Sequence, residues 1–334
     1  MEIAGRRIGA DQPPYIVAEI GSSHGGSLER AKQLIKAAKR AGADAVKTQC
    51  YEADTITIDS NRPDFIVQGG LWQGRTLYEL YGKACTPLGW HEALYDTAKK
   101  EEITIFSSVF DRSSVDLLEH LGCPAYKIAS FEVVDLPLIE YVARTRKPMI
   151  ISTGTASDRE IIDANLASGK RAAFLHCTSD YPATVENANL GRISLMDQLL
   201  GFSNPIGISD HTLGYAVPIA ATALRAAIIE KHLKLNTRAE SEDDEFSLTP
   251  EAFSAMVVAV KQTHEAMASR SQLGNGSRQF RRSLYAVADI EEGEEFSHQN
   301  IRSIRPGYGA PPRMLPKLIG QKATRKYHRG DRLP

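Results

Sequence analysis

The sequence predicts an α/β protein: a (β/α)8 TIM barrel followed by a small β-rich C-terminal domain. Three observations carry this. Short, mostly apolar, β-branched runs alternate with amphipathic helical stretches, eight times over. The runs are continuous rather than alternating, as expected of parallel strands buried on both faces. The alternation then stops near residue 270. A stretch rich in Ser, Gly, Asn and Arg leads there into short strand-like segments.

The strands are expected at 15–20, 45–49, 104–107, 125–129, 149–152, 173–176, 205–208 and 227–231. The first helix, 28–41, has apolar residues at helical spacing and ends at Gly42, a natural C-terminal stop. Others are expected at 90–100, 113–121, 136–145, 158–167, around 195–200 and at 215–225. The last, 251–269, is announced by Thr249 as N-cap and Pro250 at the first helical position. No G-x-G-x-x-G follows the first strand, which argues against a dinucleotide fold. Residues 52–89 interrupt the pattern with Gly69, Gly70, Trp72, Gly74 and several tyrosines. Such an insertion is expected over the mouth of the barrel. The domains are expected at 1–269 and 281–334, joined by a linker at 270–280. The second should contain strand-like segments at 283–287, 302–304 and 322–325, and a turn at 291–294.

The 334 residues carry a net charge of -1, which gives nucleic acid no basic face to meet. The longest apolar stretches are strand-sized, far short of the roughly 20 residues of a membrane span. No apolar run follows the polar start, and the four cysteines form no CxxC pair. A cytoplasmic protein is expected.

Barrel chemistry lies at the C-terminal ends of the strands. Polar residues fall at every one: Glu19; Lys47 and Gln49; Ser107 and Ser108; Lys127, Ser130 and Glu132; Ser152 and Thr153; His176, Thr178 and Ser179; Ser209 to His211; Glu230 to His232. Two lysines, several hydroxyls and Gly154 suit an anion bearing phosphate and carboxylate. The competing reading pairs each lysine with a nearby acid. His211 and His232 close adjacent strands and could share a divalent metal with positions left open. His24 is a substrate-loop residue first and a ligand second. Glu132 and Glu19 are acid–base candidates, or ion-pair partners of Lys47 and Lys127.

These residues sit in motifs that resemble the sialic acid synthase family. They are Tyr-Ile-Val-Ala-Glu-Ile-Gly at 15–21, Ala-Gly-Ala-Asp-Ala-Val-Lys-Thr-Gln at 41–49 and Ala-Tyr-Lys-Ile-Ala-Ser-Phe-Glu at 125–132. Ile-Ile-Ser-Thr-Gly at 150–154, His-Cys-Thr-Ser-Asp-Tyr-Pro at 176–182, Gly-Ile-Ser-Asp-His-Thr at 207–212 and Glu-Lys-His at 230–232 complete the set. Arg-Arg-Ser-Leu at 281–284 and Arg-Ser-Ile-Arg-Pro-Gly-Tyr-Gly at 302–309 resemble the antifreeze-like (SAF, β-clip) domain of that family. Residues 70–81 and the Ile-Arg-Pro-Gly-Tyr-Gly run at 304–309 resemble its pseudaminic acid synthase branch most.

The resemblance implies condensation of phosphoenolpyruvate with an amino-sugar aldehyde, 2,4-diacetamido-2,4,6-trideoxy-L-altrose, with release of phosphate. It implies a divalent metal on His211 and His232: Mn2+ first, with Mg2+ or Co2+ as alternatives. Phosphoenolpyruvate contacts are implied for Lys47, Ser108, Lys127, Ser130, Ser152, Ser179 and Ser209. Sugar contacts are implied for Gln49, Tyr181, Asp243 and Arg305, the last supplied by the partner in a domain-swapped homodimer. Glu132 is the main acid–base candidate, with Glu19 as helper and Lys127 in a catalytic role.

The chain departs from the family at Ser23-His24-Gly25-Gly26, at Ser107-Ser108-Val109-Phe110 and at the acidic run Glu240-Ser241-Glu242-Asp243-Asp244. That run is expected to be solvated surface, with sugar selection as the competing reading. Three alternatives stay open. One is a Schiff-base aldolase using Lys47 or Lys127. Another is an N-acetylneuraminate or legionaminate synthase. The third is a non-catalytic carbohydrate- or ice-binding protein.

Overall fold

The computed structural model describes residues 1–236, 241–268 and 277–334. Eight parallel strands close into a barrel: β1 (Tyr15–Glu19), β2 (Ala45–Cys50), β3 (Thr104–Val109), β4 (Tyr126–Ile128), β5 (Met149–Ser152), β6 (Ala173–Cys177), β7 (Ile206–Asp210) and β8 (Ile228–His232). The last pairs with the first, Ile228 opposite Tyr15 and His232 opposite Glu19. Most strand residues are buried, which accounts for their continuous apolar runs. A short hairpin, Glu2–Ile3 with Arg6–Arg7, precedes the barrel, and its Ile3 joins the main core.

The surrounding helices are α1 (Leu28–Ala41), α2 (His91–Lys100), α3 (Arg112–His120), α4 (Leu136–Arg144), α5 (Asp158–Ala167), α6 (Gly191–Leu199), α7 (Ala216–Ala223) and α8 (Pro250–Ala268). Helix α1 starts where the Ser27 side chain accepts from the Arg30 amide. It ends where Gly42 turns left-handed at φ 90°. Helix α5 carries a capping box, Ser157 with Glu160. Two expected elements need correction. Strand β4 is three residues rather than five, because Ser130–Glu132 turns into a 3-10 helix immediately after Ala129. Helix α6 starts at Gly191, four residues before the expected stretch.

The chain divides into two compact units, Met1–Ser269 and Arg270–Pro334. Of the expected linker, residues 270–276 lie outside the described residues. Arg278–Phe280 forms a 3-10 turn, and the Arg278 carbonyl accepts from the Gly307 amide. The second unit pairs β9 (Ser283–Ala286) with β10 (Ile301–Ile304) in antiparallel register. Its own core includes Leu284, Ile290, Phe296 and Tyr327. The segment 322–325 forms a single bridge, Glu295 to Lys322, rather than a strand. Its strand content is lower than expected, since turns and a short helix, Leu315–Leu318, make up much of the rest.

Candidate active site

Parallel register puts the polar strand ends beside one another. Glu19 lies opposite Lys47, Gln49 opposite Ser108, and Ser108 opposite Lys127. Ser209 lies opposite Glu230. The result is a cavity of about 480 Å3 whose floor carries Lys47, Ser108, Lys127, Ser152, Ser209 and Glu230.

The floor is a chain of charges. Lys47 Nζ lies 2.5 Å from Glu19 Oε2 and 3.6 Å from Glu230 Oε1, and donates to Ser108 Oγ at 3.1 Å. Lys127 Nζ donates to Ser152 Oγ at 2.7 Å and lies 4.0 Å from the same Glu230 oxygen. Ser209 Oγ donates to that oxygen at 2.9 Å. Burial works against the charge on Glu230, but Lys127 and Lys47 outweigh it and hold its pKa below the usual carboxylate range. Burial likewise opposes the charge on Lys47, and Glu19 with Glu230 overcomes it, so its pKa is raised. Lys127 has less compensation: burial lowers its pKa despite Glu230.

Glu132 stands at the rim after β4. Burial raises its pKa to about 7, with Lys127 pulling the other way. Its Oε2 is sealed from solvent without a hydrogen-bond partner. A carboxyl poised near neutrality in a cavity can give or take a proton under physiological conditions. Close by, Gly154 allows a tight approach of backbone: its amide donates to Ser130 Oγ at 3.1 Å. A Cβ there would collide with Ser179 Oγ and lie 2.5 Å from Cys177 Sγ.

His211 and His232 meet at the opposite side, with ring centroids 5.4 Å apart. The Nδ1 of His211 is hydrogen-bonded to the Thr178 carbonyl at 3.0 Å, which leaves its Nε2 lone pair available. His232 Nδ1 is buried with no hydrogen-bond partner, and lies 3.7 Å from Asp243 Oδ2. Burial lowers both pKa values, that of His211 to about 4, so both rings are neutral at pH 7. Neutral, under-bonded imidazoles fit a divalent metal. Among the described residues no cluster of three or more His, Cys, Asp or Glu is set to hold one, so the fit is to a two-imidazole site with open positions.

The cavity wall comes from elsewhere. The insertion contributes Ile56, Val67, Trp72, Leu77, Leu80 and Tyr81. The loop after β8 fixes it. Glu242 Oε1 accepts from Arg75 Nη1 at 2.5 Å and from Lys83 Nζ at 2.9 Å, both on the insertion. Asp243 accepts from the Ser22 amide at 2.8 Å, and Asp244 pairs with Arg30 at 3.2 Å. A side chain at Gly21 would strike Asp243 Oδ2 and lie 2.8 Å from Glu19 Oε1, so this crossing requires glycine.

The structure thus brings Lys47, Gln49, Ser108, Lys127, Ser130, Glu132, Ser152, Ser179, Tyr181, Ser209, His211, His232 and Asp243 to one cavity. Glu19 and His24 are not among the residues that line it. Glu19 is fully buried behind Lys47, where it also accepts from the Gly21 amide at 2.7 Å and Gln49 Nε2 at 3.3 Å. Both lysines are paired, not bare point charges. His24 is buried away from the cavity, edge-on to Trp90 at 5.4 Å and facing Thr86. The acidic run is not solvated surface, since Glu242 and Asp244 are buried and paired and Asp243 is half-buried; Glu240 lies outside the described residues. Arg305 lies exposed in the second unit. Sequence reasoning gave no role to Glu230, although the Glu-Lys-His run signalled it. Nor did it give one to Trp72, Tyr51, Phe110 or Phe246; no local signal marks these aromatics as neighbours. Phe246 packs against His232 at 4.8 Å and Tyr181 at 5.2 Å.

Comparison with known proteins adds four findings. Residues 34–272 match the NeuB family and residues 281–333 the SAF domain. The chain is 43% identical over 338 residues to the pseudaminic acid synthase of Campylobacter jejuni subsp. jejuni serotype O:2, covering 97% of this chain and 96% of that one. It is 42% identical to the pseudaminic acid synthase of Helicobacter pylori, covering 94% of each. Among solved structures, N-acetylneuraminic acid synthetase from Leptospira borgpetersenii serovar Hardjo-bovis superposes with a TM-score of 0.74 at 28% identity, covering 84% of this chain and 93% of that one.

Proposed function

The chain belongs to the NeuB family, and from that premise we propose that it is a pseudaminic acid synthase. It condenses phosphoenolpyruvate with 2,4-diacetamido-2,4,6-trideoxy-L-altrose, forming a carbon–carbon bond and releasing phosphate. The observation that carries the reading is the convergence of Lys47, Lys127, five serines and two neutral imidazoles on one cavity that also holds Glu132.

Lys127, with Ser130, Ser152, Ser179 and the Gly154 backbone, binds the anionic groups of phosphoenolpyruvate. Lys47, Ser108 and Ser209 complete that cradle. Gln49, Tyr181 and Asp243 face the sugar. A divalent metal, Mn2+ before Mg2+ or Co2+, would be held by His211 and His232 and would supply Lewis-acid polarisation of the aldehyde carbonyl. The C3 carbon of phosphoenolpyruvate attacks the aldehyde carbon, and water adds to the resulting C2 cation. Phosphate then leaves by C–O cleavage. Glu132 gives a proton to the aldehyde oxygen and takes one from the incoming water. Glu19 assists from behind by holding Lys47 and Gln49. Positioning and fixed charge supply most of the rate. The barrel, 1–269, is the catalytic domain and 270–280 the linker. In a domain-swapped homodimer the domain at 281–334 would bring Arg305 to the partner's barrel. The enzyme works in the cytoplasm.

The test is phosphate release from phosphoenolpyruvate with Mn2+ and a panel of amino-sugar aldehydes. Turnover should require the diacetamido sugar and be abolished by EDTA. Borohydride trapping of pyruvate on a lysine, with EDTA-insensitive turnover, would reject the assignment.

A further inference from the structure

The condensation itself needs only the floor and rim of the cavity, yet the insertion adds a mostly apolar wall in which Gln68, Trp72 and Tyr81 are the polar members. Ile56, Val67, Leu77 and Leu80 present apolar surface, and Trp72 stands with them. The Trp72 indole N–H is sealed from solvent and has no acceptor among the described residues. Buried N–H groups are nearly always paired, so an orphan donor in a cavity wall calls for an acceptor on the ligand. The other tryptophan, Trp90, packs against His24 instead.

A mostly apolar wall with an unpaired N–H donor is the complement of an acetamido group, whose carbonyl accepts and whose methyl needs apolar cover. Position says which one. The Tyr181 ring lies 4.4 Å from His211 and 5.7 Å from Trp72 by centroids. Trp72 is therefore reached from the imidazoles across an intervening ring. The aldehyde belongs at the imidazoles, so the wall meets the far part of the sugar. Glu242, through Arg75 and Lys83, holds the insertion that carries it.

We propose that Trp72 is a specificity-determining residue. Its indole N–H, with Ile56, Val67, Leu77 and Leu80, holds the acetamido group remote from the aldehyde, at carbon 4. This rests on the synthase reading above and adds the group by which the sugar is chosen.

The test compares kcat/KM for the 2,4-diacetamido aldehyde and for its analogue with a hydroxyl at carbon 4. The wild-type enzyme should prefer the first at least about tenfold, the scale of a lost hydrogen bond with lost apolar cover. Trp72→Phe keeps a ring and removes the N–H. It should reduce kcat/KM for the diacetamido sugar about tenfold, mainly through KM. The value for the hydroxyl analogue and the KM for phosphoenolpyruvate should hold. Equal losses with both sugars, or a fall in kcat alone, would overturn the proposal. So would equal use of both sugars by the wild-type enzyme, a result that depends on no variant folding. Failure of the parent reading looks different: phosphate is then released with neither sugar, and both ideas fall together.

Discussion

The floor and the wall of the cavity are built on opposite principles. On the floor, rigid parallel strands carry Lys47, Lys127 and Glu230, all buried and all within 4.0 Å of another charge. The wall is an inserted segment with mostly apolar lining, tied to the β8 loop by two ion pairs whose basic partners are partly exposed. Fixed charge on strands suits the reacting atoms, which must be placed to a fraction of an ångström. An insertion can change without disturbing the barrel, which suits choice among sugars. Floor changes should therefore lower kcat with any sugar, and wall changes should alter KM for one.

The sharpest test is Glu132→Gln. It should lower kcat about a thousandfold with either sugar and abolish the ionisation near pH 7 in the kcat profile. The same group leaves a mark on stability. Its folded-state pKa lies above the ordinary 4.5, so its neutral form favours the fold. That contribution is complete below about pH 4.5 and is lost as pH rises through 7. Relative to wild type, Glu132→Gln should thus melt higher at pH 8 than at pH 5. Lys127→Ala comes next, with a loss of about a hundredfold in kcat, near 3 kcal/mol; near-normal turnover would break the division. On the wall, Glu242→Gln should raise KM for the sugar about fivefold and leave KM for phosphoenolpyruvate unchanged, the scale of about 1 kcal/mol for such pairs. Lys83→Ala should do least, under about twofold, with the difference fading in high salt.

The floor was the more legible of the two in the sequence. Continuous apolar runs mark strands buried on both faces, and the residue after each run falls at the mouth by geometry alone. His211 and His232 needed no more than that, and Lys47 and Lys127 stood out as the charged members of otherwise apolar runs. What composition could not say is which carboxylate each lysine meets. Glu19 and Glu230 look alike as strand-end acids, and only register puts one behind Lys47 and the other between both lysines. The wall was nearly illegible. Trp72, Tyr181 and Phe246 become neighbours through loops whose course no periodicity encodes. Glu242 and Asp244 read as solvated because their partners, Arg75, Lys83 and Arg30, lie far away in the chain. His24 misled for the converse reason: a histidine in a loop after a strand has no mark that distinguishes buried packing from ligand contact.

The sharing of Glu230 between Lys47 and Lys127 has a thermodynamic corollary. Because the ammonium groups already have counter-charges, a trianionic substrate would arrive with negative charge in surplus. The carboxyls that burial already biases toward the acid form, Glu132 and Asp243, are the groups ready to absorb it. Association should then draw hydrogen ions from the medium. Titration calorimetry would register this as a heat that depends on the ionisation enthalpy of the buffer.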